Sequence, residues 1–146
     1  ITINKMYIII MSTPIGYYLV INRAPHSSFP WSIHGLWPEY KGGDYKHYPK
    51  CHSEDININK LILTPMHKHW HSLKKFHHSD YWLWYHEWKK HGACIFDHAQ
   101  QYFEITLKLF EQIKNDPEKF RYGIRHGDEL WYPLDIHFHF KKHMFF

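Results

Sequence analysis

The segment Trp84-Tyr85-His86-Glu87-Trp88-Lys89-Lys90-His91-Gly92-Ala93-Cys94 limits the fold more than any other stretch. Wound as an α-helix at about 100° per residue with Glu87 at zero, it puts His91 at about 40°, Lys90 at about 300° and His86 at about 260°. Four ionisable groups then share one arc. Tyr81, Trp84, Tyr85 and Trp88 fall between about 60° and 160°, an aromatic face that needs a core to bury against. Lys89 points elsewhere. Such a stripe is commonly a solvated face with Glu87 and Lys90 as an ordinary helical pair, but two histidines within it suit proton transfer near neutral pH.

A second run, Ser32-Ile33-His34-Gly35-Leu36-Trp37-Pro38, sets Gly and Pro around a His and a Trp. It predicts a tight turn presenting an imidazole beside an indole; taken alone, a packed surface turn is the simpler reading. Around these runs, Tyr17-Tyr18-Leu19-Val20-Ile21 reads as a buried strand ended by the Pro25 to Pro30 stretch. A Gly/Pro/Tyr-rich loop is expected from Gly35 to Cys51, and Thr64-Pro65 as a helix start. Tyr81 to His91 reads as a helix stopped by Gly92. After Asp97, a candidate cap, Phe103, Leu107, Phe110 and Lys114 recur at helical spacing until Asn115-Asp116-Pro117, and Leu130 to Phe140 alternates as a strand. Helices and strands in separate runs predict an α+β fold, and 146 residues suffice for one core, hence a single domain over 1–146.

Composition narrows the partners. With 44% hydrophobic and 22% charged residues the chain resembles neither a disordered nor a membrane protein. The apolar run Met6 to Met11 is too short for a leader or a span. The chain starts at Ile1, as a processed or partial product does, so the lack of a visible leader does not argue against secretion. A formal charge of +4, 16 His and 19% aromatics suit a polyanion with unpaired bases, although many basic proteins are merely soluble. Two cysteines, Cys51 and Cys94, permit one disulfide; from the count, two free thiols fit equally.

A metal site is the reading to exclude. His86-Glu87 followed by His91 looks like a metalloprotease helix, which needs histidines at i and i+4; these are five apart and about 140° around the helix. His67, His69 and His71 alternate, as do His137 and His139, a pattern suited to adventitious metal at most. No metal or cofactor is expected.

Together the two runs resemble the paired active-site signatures of the T2 ribonucleases, the family of fungal acid ribonucleases and plant self-incompatibility ribonucleases. Tyr17 to Asn22 resembles that family's first core strand, with Asn22 where Gln is usual. The resemblance implies a central antiparallel sheet with several packed helices. It implies metal-independent cleavage of single-stranded RNA through a 2′,3′-cyclic phosphate, with His91 as base, His34 as acid, Lys90 stabilising the phosphorane and Glu87 holding the His91 ring beside the phosphate. By the same resemblance His86 binds phosphate, Trp37 packs a base, and Cys51 and Cys94 form the family's most widespread disulfide. That bridge in turn implies an oxidising compartment, secreted or vacuolar, and the expected state is a monomer without a membrane partner. Asn22-Arg23-Ala24-Pro25 departs from the family's Gln-Trp-Pro, and members normally continue several dozen residues further, so C-terminal strands are expected to be missing. Two rivals stand beside this reading: an inactive RNA-binding or signalling relative, and a metal-dependent hydrolase using the surplus histidines.

Overall fold

The computed structural model describes residues 13–42, 51 and 56–142. The run Met6 to Met11, residues 43–50 of the loop expected from Gly35 to Cys51, and the end of the segment Phe138 to Phe146 lie outside the described residues; the start of that loop, Gly35 to Tyr40, is strand. Four antiparallel strands form one sheet in the order β2-β1-β4-β3: β1 (Pro14–Arg23), β2 (Trp31–Tyr40), β3 (Ile124–His126) and β4 (Glu129–Leu134). Alternation assigns the faces. Tyr17, Leu19 and Ile21 of β1 and Tyr132 and Leu134 of β4 are buried in the core. The alternate residues Tyr18, Val20 and Asn22, with Glu129 and Trp131 opposite, lie on the other face.

Helices cover the core side. α1 (Lys60–His69) is capped by Asn59, whose side chain accepts from the Leu61 amide, so it begins well before the expected Thr64-Pro65. Pro65 is inside the helix, where its ring removes a backbone donor; burial of Met66 and Trp70 just beyond it favours keeping the helix despite that loss. α2 (Asp80–Glu87), capped by Ser79, runs directly into a π-turn, Trp88–Gly92. α3 (Ala99–Asn115) starts from His98 and not Asp97, and buries Tyr102, Phe103, Leu107 and Phe110 as its period predicts. Asp116 ends it but also caps a short helix α4 (Pro117–Phe120).

Two expectations fail in instructive ways. The His34 run is not a turn: it is the middle of β2. The strand expected over Leu130 to Phe140 stops at Leu134, because the Asp135 carboxylate accepts from the His137 and His139 amides and turns the chain, leaving Phe140 only a single bridge back to Leu134. Cys51 and Cys94 are bonded, tying the loop after β2 to the end of the π-turn. With a sequence separation of 43, the chain-entropy model gives about 4 kcal/mol of stabilisation. No described helix is long and apolar enough to cross a membrane.

Candidate active site

The site starts from a bulge. Val20 pairs with Gly35 and Ile21 with Ile33, so His34 is the extra residue on β2, with no partner in the ladder. In a regular strand residues three apart point to opposite faces; the extra residue restores one face to both His34 and Trp37, and their rings meet edge-on at 4.9 Å. It likewise lets Ile33 and Leu36 both enter the core. The bulge is held by neighbours. The Trp70 indole donates to the His34 carbonyl at 2.9 Å, and Tyr102 both accepts from the Leu36 amide and donates to the Leu36 carbonyl.

Trp84 and Trp88 anchor the second part by filling the core, whereas Tyr81 and Tyr85, expected on the same aromatic face, are exposed. Both tyrosines precede the π-turn, on the regular helix: its buried arc runs from Glu87 to Trp84, so it takes in the carboxylate and leaves the tyrosines beyond its edge. Glu87 and His91 stay together at 3.7 Å, both almost fully buried. Glu87 is the hub. Its Oε2 accepts from the Trp37 indole at 2.8 Å and its Oε1 lies 3.3 Å from His34 Nε2. Trp37 stacks on His91 at 5.1 Å, so one indole touches both imidazoles. Gly35 makes this approach feasible: a Cβ there would lie 2.6 Å from the Trp37 indole nitrogen and closer still to the Glu87 carboxylate.

His86 and Lys90 lie at the exposed rim. His86 stacks on Trp82 at 4.9 Å, and Trp82 on His78 at 3.6 Å. The charge of Lys90 acts on both His86 and His91, whereas Lys89 reaches over the Tyr85 ring at 6.0 Å.

The sequence reading missed Glu129. Its carboxylate meets His34 Nδ1 at 2.7 Å, across the sheet from β4. The expected strand began one residue later, at Leu130; carried back one position, its alternation sets Glu129 and Trp131 on the site's face, where Trp131 meets Trp37 edge-on. Glu129 joins the site on those grounds.

Electrostatics separate the two histidines. Burial acts to lower His34, but its bonds to Glu129 and Glu87 overcome this and raise it to about 9. Burial lowers His91 to about 4, with Glu87 opposing and Lys90 adding to the shift. Burial pushes the Glu87 carboxyl upward, yet the His34 bond, the His91 charge and the Trp37 bond hold it below its ordinary value. A protonated imidazole and a neutral one thus flank one buried carboxylate at neutral pH. At the Arg23 end of β1, Asn22, Arg23, His71, Lys74, Lys75 and Asp128 line a cavity of about 640 Å³ that none of His34, Trp37, Glu87 and His91 enters.

The alternating histidines do not gather: His67 pairs with Asp80, His69 with Glu111, and His71 binds Ser32 through its backbone. Among the described residues, no three of His, Cys, Asp and Glu are placed to hold a metal ion.

Comparison with known proteins points one way. The model of the Ribonuclease T2 family matches residues 17–132. Ribonuclease 3 of Arabidopsis thaliana is 31% identical over 110 residues, covering 73% of this chain and 49% of the relative. The chain spans about half or less of the length of the curated relatives it matches. Among solved structures, RNase NT in complex with 5′-AMP is 25% identical with a TM-score of 0.56, covering 82% of this chain and 85% of that one. A mutant of RNase MC1 in complex with 5′-GMP shares the fold at a TM-score of 0.62 and 18% identity, covering 84% and 90%.

Proposed function

Because the chain belongs to the ribonuclease T2 family, we propose that it is an endoribonuclease that cuts single-stranded RNA by transesterification. RNA carries its own nucleophile, the 2′-OH, so the chemistry needs a base, an acid and positive charge at the phosphorus. His91, neutral at physiological pH, takes the 2′-OH proton; His34, protonated, gives its proton to the leaving 5′-oxygen. The products are a 2′,3′-cyclic phosphate and a free 5′-hydroxyl. Lys90 stabilises the charge that builds on the phosphorane. Glu87 holds both imidazoles in register through its two oxygens.

The observation that carries this reading is the pairing of an acidic and a basic histidine across one buried carboxylate. His86 at the rim suits a neighbouring phosphate and Trp37 an adjoining base, while the cavity bearing Arg23, Lys74 and Lys75 suits a nucleotide further along the strand. The Cys51–Cys94 bridge favours an oxidising compartment, secreted or vacuolar, and a monomer suffices, since His34, Glu87 and His91 all come from one chain.

Incubation with homopolymeric RNA and matched DNA in EDTA tests the proposal. Expected are cleavage of RNA alone and 2′,3′-cyclic phosphate ends. Cutting of DNA, or loss of RNA cleavage in EDTA, contradicts it.

A further inference from the structure

His34 gives its proton from one ring nitrogen and holds a carboxylate with each of the two. His34 Nε2 faces Glu87 at 3.3 Å, inside the cluster with Trp37 and His91, while Nδ1 faces outward along the sheet to Glu129 at 2.7 Å. The second contact is the shorter, and it links residues 95 apart in sequence through the pairing of β1 with both β2 and β4. Asn22 of β1 pairs with Ser32 on one side and Glu129 on the other, so the sheet itself sets the distance between carboxylate and imidazole.

We infer that Glu129 is the positioning residue of the His34 acid: its carboxylate keeps the proton on Nδ1, so that Nε2 always delivers the proton to the leaving oxygen. The inference rests on the ribonuclease reading and deepens it. In the cleavage step the Nε2–H bond breaks as the O5′–H bond forms, and the P–O5′ bonding pair goes to the departing oxygen. His34 is left neutral as the Nδ1–H tautomer, still donating to Glu129. Its Nε2 lone pair then faces the site and accepts a proton from the water whose oxygen bonds to phosphorus, while the P–O2′ bond breaks and O2′ takes back the proton that His91 received in the cleavage step. A carboxylate behind an imidazole thereby serves both half-reactions, through charge in the first and through tautomer in the second.

Among the described residues, the charged and titratable groups around His34 are few. Glu129 comes from β4, Glu87 and His86 from α2, and His91 with Lys90 from the π-turn; β1 contributes Val20 and Asn22, which do not titrate. Of these only the two carboxylates hold the imidazolium, and only Glu129 can be changed without emptying a fully buried position, since its side chain is 27% exposed.

The test is Glu129→Gln, which preserves shape and an acceptor oxygen but removes the charge. His34 is followed by NMR titration of its imidazole carbons, and kcat/KM by its pH profile on a dinucleotide. The His34 pKa is expected to fall by at least one unit, with the alkaline limb of the profile moving by the same amount and the acid limb staying put. Glu129→Asp, which keeps the charge on a shorter arm, should recover part of the shift. A uniform loss of activity at every pH, with both limbs in place, overturns the inference and leaves Glu129 as scaffold. So does an unmoved His34 titration, whether or not RNA is cut. Absence of cleavage by the unaltered protein contradicts the ribonuclease reading alone, because the titration needs no turnover.

Discussion

At the residue scale, two imidazoles that start from the same ordinary value of 6.5 end near 9 and near 4 because one has carboxylates on both nitrogens and the other is buried beside Lys90. This separation decides their roles. A base must be unprotonated and an acid protonated, so His91 as base and His34 as acid is the dominant state across the whole interval between the two values. With the roles exchanged, each imidazole would have to hold the protonation state that its surroundings disfavour. The expected kcat/KM profile rises through about pH 4, where His91 loses its proton, and falls through about pH 9, where His34 does. A stopped assay across that range checks both limbs; a single narrow optimum near 6.5 would mean that the environments are not as described. Opening the cyclic phosphate needs the opposite protonation, so at neutral pH the cyclic product should persist long after the RNA is cut.

At the scale of the element, the bulge in β2 and the π-turn after α2 do the positioning. Both depend on close approach. Gly35→Ala would drive a methyl into Glu87 and Trp37, with an expected cost of about 1–3 kcal/mol for the overpacking and an activity loss larger than the drop in thermal stability explains. Unaltered kinetics would mean that Glu87 does not sit against β2. On the π-turn, Lys90→Ala should lower kcat by about 10²-fold or more, and Lys89→Ala should change it little, because Lys89 lies over Tyr85 and away from His91. How much of this was legible in the sequence follows the range of each interaction. His34, Trp37, Glu87, Lys90 and His91 could be singled out because each sits in a short run whose spacing is local. The bulge and the π-turn could not, since each adds one residue to a regular element without changing its composition; Tyr81 and Tyr85 were misplaced for another reason, that the buried arc of the helix takes in Glu87. Glu129 was missed because its partner lies 95 residues away and only strand register brings them together.

Over the whole molecule, stability and chemistry share the same groups. His91 is held below its ordinary value by burial, and Glu87 below its own by His34, His91 and Trp37. A histidine with a depressed pKa takes up its proton in the unfolded chain first, so stability falls as pH drops from 6.5 towards 4; Glu87 adds a loss of the same sign below about 4.5. His34 works in the other direction: what it contributes is fully present below 6.5 and is lost as pH rises through about 9. The Cys51–Cys94 bridge joins the loop after β2 to the end of the π-turn that carries His91. Reduction should therefore lower the melting temperature and the activity in parallel, by up to about 4 kcal/mol in stability; calorimetry with and without a thiol reductant reads this, and an unchanged melting temperature would argue that the bridge constrains nothing. The measurement that reaches furthest compares His34→Ala and His91→Ala on an ordinary dinucleotide and on a nucleoside 3′-(p-nitrophenyl phosphate), whose leaving group needs no proton. The account predicts that both variants fail on the dinucleotide and that His34→Ala alone regains most of its rate on the activated ester. Rescue of His91→Ala instead, or substantial dinucleotide cleavage by either variant, would contradict it.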